Sequence, residues 1–145
     1  MGTVLVVEDD LTQRRILSKV LTSIGLDMIF AVDGVEALEL VESYYPDLVV
    51  LDIIMPRMNG YEVCRRLKSS KKTQNIAVLM YSSKGEECDF YWGSKQGADA
   101  YASKLCPPQE LVNTIRSLLQ IQLSEGLGAG GWGLGYPVDE SRGLK

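Results

Sequence analysis

Short runs of apolar residues recur along the chain, separated by longer segments with an apolar residue at every third or fourth position. Within the short runs, apolar and polar residues do not alternate, which is typical of strands buried on both faces of a parallel sheet. We assign the last and shortest run as a strand because it continues this pattern. The five predicted strands span residues 4–7, 28–32, 48–51, 76–80 and 100–102.

The longer segments predict five amphipathic helices, one after each strand. Asp10 or Thr12 can cap the start of the first helix and Gly25 can end it. Pro107 or Pro108 can begin the fifth helix. The apolar stripes are Ile16, Leu17, Val20, Leu21 and Ile24 in the first helix, Leu38 and Val41 in the second, Val63, Cys64 and Leu67 in the third, and Leu111, Val112, Ile115, Leu118 and Leu119 in the fifth; the fourth helix spans 86–96.

Strand and helix therefore alternate five times, which predicts the α/β class. Such alternation gives a doubly wound, five-stranded parallel sheet, (βα)5, with right-handed crossovers and helices on both faces. For the strand order we expect the flavodoxin-like 2-1-3-4-5. That order is taken over from the fold class and is not deduced from the pattern.

The length of 145 residues suits one domain, and the composition changes near residue 123. Residues 1–123 are predicted to form this domain. Residues 124–145 are rich in glycine and have no periodic apolar face, so we interpret them as a flexible tail.

Charge and composition exclude several classes of function. A net charge of −4 and a pI near 4.9 argue against general attraction to nucleic acid or to anionic membranes. No apolar run approaches the roughly 18 residues of a membrane span, and the N-terminus does not resemble a signal peptide. Three widely spaced cysteines suit a reducing compartment, so we expect a cytoplasmic, bacterial protein. The absence of histidine removes every mechanism that needs a histidine base, ligand or phospho-intermediate in this chain.

Polar side chains with useful chemistry follow four of the predicted strands. In a sheet of order 2-1-3-4-5 the carboxyl ends of these strands line one edge, which is where open α/β sheets bind ligands. Carboxylates, hydroxyls and an ammonium should therefore converge there. The residues are Glu8, Asp9 and Asp10 after the first strand, Asp52 after the third, Ser82 and Ser83 after the fourth, and Lys104 after the fifth.

Such a set indicates phosphoryl chemistry assisted by a cation. Clustered carboxylates raise each other's pKa unless a cation lies among them. Oxygen ligands select a hard ion, and Mg²⁺ is the expected cofactor. A carboxylate beside Mg²⁺ and Lys104 could attack phosphorus to form an acyl phosphate, and the Ser82 hydroxyl could then bind one oxygen of the product.

Four segments resemble, in order and spacing, the motifs of response-regulator receiver domains of the chemotaxis-regulator (CheY-like) type. They read V-V-E-D-D, L-D-I-I-M-P-R-M-N-G, V-L-M-Y-S-S-K and G-A-D-A-Y-A-S-K. The resemblance covers roughly residues 3 to 121. The pattern D-x-x-M-P-x-M-N-G after an apolar run is very specific.

The resemblance implies roles for the matching positions. Asp52 is the implied phosphoacceptor, and Lys104 is the implied lysine that pairs with the phosphoryl group. Asp9 is the implied direct metal ligand, while Glu8 acts through water. Asp52 and the backbone carbonyl of Ile54 complete the implied metal ligands.

Two more positions resemble the switch residues of this family. Ser82 is similar to the hydroxyl residue that moves toward the phosphoryl group, and Tyr101 to the aromatic residue that turns inward with it. The implied partners are a histidine kinase or phosphotransfer protein as donor and a downstream protein target, with no direct contact to nucleic acid or membrane. The resemblance also implies that this protein signals by a change of conformation and is not a turnover enzyme.

A longer segment, Y-S-S-K-G-E-E-C-D-F-Y-W-G-S-K-Q-G-A, is similar to receivers of type IV pilus (PilH-like, twitching or phototactic) motility systems. This similarity implies a motility role for the chain.

Two residues depart from the family pattern. Glu8 stands where aspartate is more usual and is longer by one methylene. Leu105 stands where proline usually follows the lysine, often after a cis bond, and a non-proline cis bond costs about 3 kcal/mol. Either the Lys104–Leu105 bond is trans and the loop is rebuilt, or the strained bond is retained for function.

Three other classes of function compete with this interpretation. A pseudo-receiver scaffold that only binds proteins is supported by Leu105 and opposed by the acidic residues. A D-x-D phosphohydrolase would need a second acid at position 54, which is Ile54. An FMN-binding flavodoxin would need a phosphate-cradling loop after the first strand, which the sequence lacks.

Overall fold

The structure, a computed structural model, describes residues 2–55, 57–83 and 97–126, with side chains as far as residue 120. The predicted helix over 86–96 and most of the predicted tail lie outside these ranges. The elements are β1 Thr3–Val7, α1 Leu11–Ser23, β2 Asp27–Ala31, α2 Gly34–Tyr44, β3 Leu48–Leu51, α3 Gly60–Ser69, β4 Ala77–Ser82, β5 Ala100–Ser103 and α4 Pro108–Gly126.

The five strands form one parallel sheet in the order β2-β1-β3-β4-β5. The predicted class, strand order and doubly wound arrangement are confirmed. In the register, Val7 lies opposite both Ala31 and Leu51, and Leu51 lies opposite Met80. The carboxyl ends of the central strands are therefore level, and the residues that follow them emerge at one edge.

Two apolar clusters cover the two faces of the sheet, which explains why the strand sequences do not alternate in polarity. Val4 and Val6 of β1 pack into the cluster with α1 and α4, whereas Leu5 and Val7 pack into the cluster with α2 and α3. All four side chains are at most 1% exposed. Both faces of the central strands are thus buried.

Helix starts follow from the sequence, because each of three helices begins after a polar cap. The side chains of Asp10, Asp33 and Asn59 each accept a hydrogen bond from the backbone N–H three residues later. Asp10 is one of the two predicted caps of α1. Gly25, predicted to end that helix, has a positive φ of 78°.

Some element boundaries differ from the prediction. β2 ends at Ala31 because the backbone N–H of Val32 donates to Glu36 at the start of α2 and so leaves the strand ladder. Ile16 was placed on the buried face of α1 but is 43% exposed, since it lies at the edge of that face, about a quarter turn from its centre. α4 reaches Gly126, so the predicted domain boundary at 123 falls within this helix.

Gly60, the first residue of α3, lies against the backbone of Asp52. A Cβ atom at Gly60 would lie 2.3 Å from the Asp52 carbonyl oxygen. The Gly60 N–H also donates to the Ile53 carbonyl at 2.8 Å. Only glycine allows α3 to start this close to the residue that follows β3.

We predict that Gly60→Ala lowers the free energy of unfolding by about 1–2 kcal/mol in urea, because the backbone must shift to admit the methyl group. Without that contact, alanine at a helical position would stabilise by about 0.5–1 kcal/mol. Gly2→Ala is the control, since its Cβ would meet only the side chains of Asp47 and Leu26 at 3.3 and 3.4 Å. Equal effects of the two substitutions would contradict the assigned close approach.

Candidate phosphoacceptor and metal site

Three carboxylates meet at the carboxyl edge of the sheet. One oxygen from each of Glu8, Asp9 and Asp52 lies within 4.8 Å of the others. Glu8 is only 2% exposed, while Asp9 is exposed and Asp52 lies between these extremes. The structure therefore brings together the three predicted side-chain ligands of the metal.

Strand hydrogen bonds fix the backbone of this edge. The N–H of Glu8 donates to the Ala31 carbonyl at 3.0 Å, and the N–H of Asp52 donates to the Val7 carbonyl at 3.1 Å. On the far side, the N–H of Lys104 donates to the Ser82 carbonyl at 2.7 Å. Each bond extends the hydrogen-bond ladder of the sheet by one residue beyond the strand. The backbones of these site residues are therefore fixed by the sheet.

Lys104 reaches across the edge to two of the carboxylates. Its ammonium nitrogen lies 2.7 Å from Glu8 Oε1 and 3.4 Å from Asp52 Oδ1. It also lies 5.9 Å from the centre of the Tyr81 ring. The second oxygen of Glu8 accepts the backbone N–H of Asp10 at 3.1 Å. Both oxygens of Glu8 are thus engaged, whereas Asp9 keeps an exposed carboxylate.

Burial raises the pKa of the Asp52 carboxyl above 3.8, and the nearby Glu8 charge raises it further. The Lys104 ammonium and the backbone N–H of Ile54 oppose this shift. The effects of desolvation and of the Glu8 charge on the pKa of Asp52 thus outweigh the effect of the single ammonium. A cation beside Asp52 would favour its ionised form.

Arg14, whose role has no signal in the sequence, supports the loop that carries Glu8. Its Nε donates to the Glu8 carbonyl at 2.8 Å, and its guanidinium carbon lies 5.2 Å above the centre of the Phe30 ring. Arg14 therefore links α1, β2 and the end of β1. No motif marks this contact, because it joins positions that become neighbours only in the folded sheet.

The two predicted switch residues, Ser82 and Tyr101, lie at the end of β4 and within β5. Ser82 ends β4 and is 1% exposed, while Ser83 after it is exposed. Tyr101 lies in β5 opposite Met80, packs against the cluster with α2 and α3, and has a buried hydroxyl oxygen. The Tyr101 side chain is therefore half-buried beside the end of β4.

The loop after Lys104 is rebuilt around Leu105. No peptide bond within the described ranges is cis, so the Lys104–Leu105 bond is trans, which decides between the two alternatives left open by the sequence. The Leu105 N–H, which proline would lack, donates to Ser103 Oγ at 3.0 Å. The Leu105 side chain is 85% exposed. Lys104 still reaches Glu8 and Asp52 without the usual proline.

The chemistry of the donors fits a hard divalent cation. Carboxylate and carbonyl oxygens are the ligands that Mg²⁺ and Ca²⁺ prefer, and a partly open cluster leaves room for bound water. Within the described ranges, no helix has the length and apolar character needed to cross a membrane. The fold and this edge together define a doubly wound α/β protein with an acidic ligand site at its switch point.

Comparison with known proteins identifies the family. The model of the response regulator receiver domain matches residues 4–116, and the chain belongs to this family. A receiver domain protein (CheY-like) from Methanospirillum hungatei JF-1 has a TM-score of 0.79 at 25% identity, over 87% of this chain and 99% of that one. The chemotaxis protein CheY4 of Vibrio cholerae has a TM-score of 0.75 at 26% identity, over 81% and 98%.

The curated relatives are longer proteins. The probable transcriptional regulator ycf27 of Porphyra purpurea is 44% identical over 117 residues, which are 81% of this chain and 47% of that protein. The DNA-binding dual master transcriptional regulator RpaA of Synechocystis is 34% identical over 83% of this chain and 50% of that protein. The chain spans about half the length of these relatives.

We predict that Asp52→Asn stabilises the protein at pH 7 when Mg²⁺ is absent. Because the folded pKa of Asp52 is above its ordinary value of 3.8, the folded chain binds this proton more tightly than the unfolded chain. Ionisation therefore costs stability as the pH rises from 3.8 through the raised pKa, and the cost persists above it. Urea unfolding at several pH values should show a gain that vanishes below pH 3.8. A gain that is independent of pH would contradict the assigned cause.

We predict that Lys104→Ala lowers the free energy of unfolding by about 3 kcal/mol, because the buried Glu8 carboxylate loses its counter-charge. Adding Glu8→Gln should recover much of this loss, since a neutral amide needs no cation. A double-mutant cycle in urea measures the coupling. Additive effects of the two substitutions would show that the pair does not stabilise the fold.

Proposed function

We propose that this receiver accepts a phosphoryl group on Asp52 in a Mg²⁺-dependent reaction, with a histidine kinase or phosphotransfer protein as donor. The observation that carries the proposal is Lys104, which lies within 3.4 Å of Asp52 in a cluster of three carboxylates. A structural ion pair needs one acid and one base. Three acids with one ammonium are suited to binding a cation and an anionic group together.

The residues divide the reaction among them. A carboxylate oxygen of Asp52 forms the new bond to phosphorus while the bond from phosphorus to the donor's histidine nitrogen breaks, and that nitrogen keeps the electron pair. Asp9, Asp52 and the Ile54 carbonyl would hold Mg²⁺, with Glu8 acting through water. When bound, the ion neutralises charge on the equatorial oxygens. Lys104 stabilises the same oxygens from the other side.

The signal arises from a competition for Lys104. Phosphorylation adds a charge of about −1.5 to −2 next to an ammonium that is held by Glu8. Lys104 and the Ser82 hydroxyl would move to the phosphoryl oxygens, and Tyr101 would follow as β5 adjusts. The output surface would include β5 and α4 and would bind a downstream protein; the predicted fourth helix, which the sequence also assigns to it, lies outside the described residues. The protein would act in the cytoplasm, and because the phosphoryl group is accepted by its own Asp52, it would serve as a phosphoacceptor and not as a turnover enzyme.

The relatives and the sequence motifs indicate different pathways. Transcriptional regulation is named for ycf27 and RpaA, of which this chain matches about half. For the residues in this chain we propose an output through protein contact without direct binding of nucleic acid or membrane. A role in type IV pilus motility or phototaxis stays a prediction from the sequence. The pseudo-receiver alternative is disfavoured because Lys104 and the acidic cluster are all in place.

We predict a mass gain of one phosphoryl group, about 80 Da, when the protein is incubated with acetyl phosphate and Mg²⁺. Asp52→Asn should abolish the gain, because the amide cannot form the acyl phosphate, and EDTA should block it. Asp10→Asn is the control, because asparagine also caps helices and Asp10 caps α1 outside the cluster. Absence of labelling under conditions that label another receiver would favour the pseudo-receiver.

A further inference from the structure

The loop between β3 and α3 is described at residues 52–55 and 57–59, and its first part carries Asp52 and the Ile54 carbonyl. Ile53 and Met55 are 6% and 9% exposed and fasten the loop to the core, whereas Ile54 between them is 61% exposed. The Ile54 N–H donates to the Asp52 carboxylate. A shift of this loop would therefore move the phosphoacceptor and a candidate metal ligand together.

Arg57 holds the outer part of this loop in an unusual conformation. Its φ is 67°, in the left-handed region of backbone conformation that residues other than glycine rarely adopt. Its guanidinium is bidentate on Asp33, with Nε 2.8 Å from Oδ2 and Nη2 3.1 Å from Oδ1. Bidentate pairs fix geometry as well as charge. The ion pair thus compensates for a backbone conformation that is otherwise unfavourable.

Asp33 is itself firmly placed. It is 6% exposed and accepts the Glu36 N–H at 2.9 Å as the cap of α2, and the Glu36 carboxylate accepts the N–H of the preceding residue, Val32, at 2.8 Å. The loop packs directly on this helix start, since a Cβ at Gly34 would lie 2.8 Å from the Met58 carbonyl oxygen. The start of α2 is therefore a rigid support for the loop.

The ion pair persists at neutral pH. The Arg57 guanidinium holds the pKa of the Asp33 carboxyl below its usual value, and the Glu36 N–H acts in the same direction. Asp33 is thus ionised throughout the pH range in which Asp52 could bind a cation and react.

We propose that Arg57 is a positioning residue for the site: through its bidentate contact with Asp33 it holds the loop before α3 so that Asp52 and the Ile54 carbonyl bind the divalent cation together. Arg57 acts through the loop and does not contact the reacting groups. This inference rests on the proposed function, because it concerns the same cation. Without the contact, binding the cation would have to order the loop, and that cost would appear as weaker affinity.

The test measures Mn²⁺ binding directly, by the electron paramagnetic resonance signal of the free ion in a titration of the intact chain. Arg57→Ala removes the guanidinium. Asp33→Asn removes the charge but keeps a side chain that caps α2 equally well. Arg66→Ala is the matched control, because Arg66 is 54% exposed against 59% for Arg57 and also pairs with an acid at 2.7 Å, on the outer face of α3.

We expect Arg57→Ala and Asp33→Asn to weaken Mn²⁺ binding by about tenfold, in the range found for residues that orient metal ligands, while Arg66→Ala leaves it unchanged. Arg57→Gly should bind as weakly as Arg57→Ala but unfold at a higher urea concentration, because glycine relieves the positive φ. That separation distinguishes positioning from general stability. In acetyl phosphate labelling, the Mg²⁺ concentration for half-maximal rate should rise by the same factor, with the rate at saturation little changed.

Unchanged Mn²⁺ affinity in both Arg57→Ala and Asp33→Asn would overturn the inference, and so would an equal loss in Arg66→Ala. Failure of the wild type to label on Asp52 would overturn the proposed function instead. The Mn²⁺ titration does not depend on labelling, so the two failures are told apart.

Discussion

The contact of the Lys104 ammonium with Glu8, at 2.7 Å, and with Asp52, at 3.4 Å, is the interaction on which the site depends. One oxygen from each of Glu8, Asp9 and Asp52 lies within 4.8 Å of the others. At an effective dielectric constant of about 20, two like charges at that distance repel by about 3.5 kcal/mol. A single ammonium offsets only part of this repulsion, and the pKa of Asp52 is raised by its burial first and by the Glu8 charge second. The cluster is therefore poised to bind a cation.

The parallel sheet makes this crowding possible. Ladder hydrogen bonds extend one residue beyond the strands and hold the backbones of Glu8, Asp52 and Lys104 in place. Gly60 lets α3 begin against the carbonyl of Asp52, and Arg57 ties the intervening loop to α2. In the proposed mechanism, a new charge on Asp52 would be answered first by movement of side chains. Lys104 is the side chain with two alternative partners.

Much of the fold could be predicted from the sequence, because apolar runs without alternation indicate buried parallel strands and polar caps mark helix starts. The central strand Leu48–Leu51 matches its predicted bounds, whereas β2 is shifted by one residue because Glu36 captures the N–H of Val32. The strand order could not be derived from local pattern, since it depends on how helices cross the sheet. It was taken from the fold class.

The candidate site was predictable to the extent that its residues follow strands directly. Glu8, Asp9, Asp52 and Lys104 do so, and the structure brings them together. The two supporting arginines were not predictable. Arg14 and Arg57 contact the site's loops across elements, and Arg57 pairs with a residue 24 positions away. Such contacts are set by the assembled fold, and no local spacing signals them.

The most direct test of the account is a crystal structure of the protein with Mg²⁺ and beryllofluoride, which mimics a phosphoryl group on a carboxylate. We predict beryllium on a carboxylate oxygen of Asp52, Mg²⁺ on Asp9, Asp52 and the Ile54 carbonyl, and the Lys104 ammonium moved from Glu8 to a fluorine. A structure in which Asp52 is unmodified, or in which the ion binds elsewhere and the Lys104–Glu8 pair is retained, would contradict the central claim.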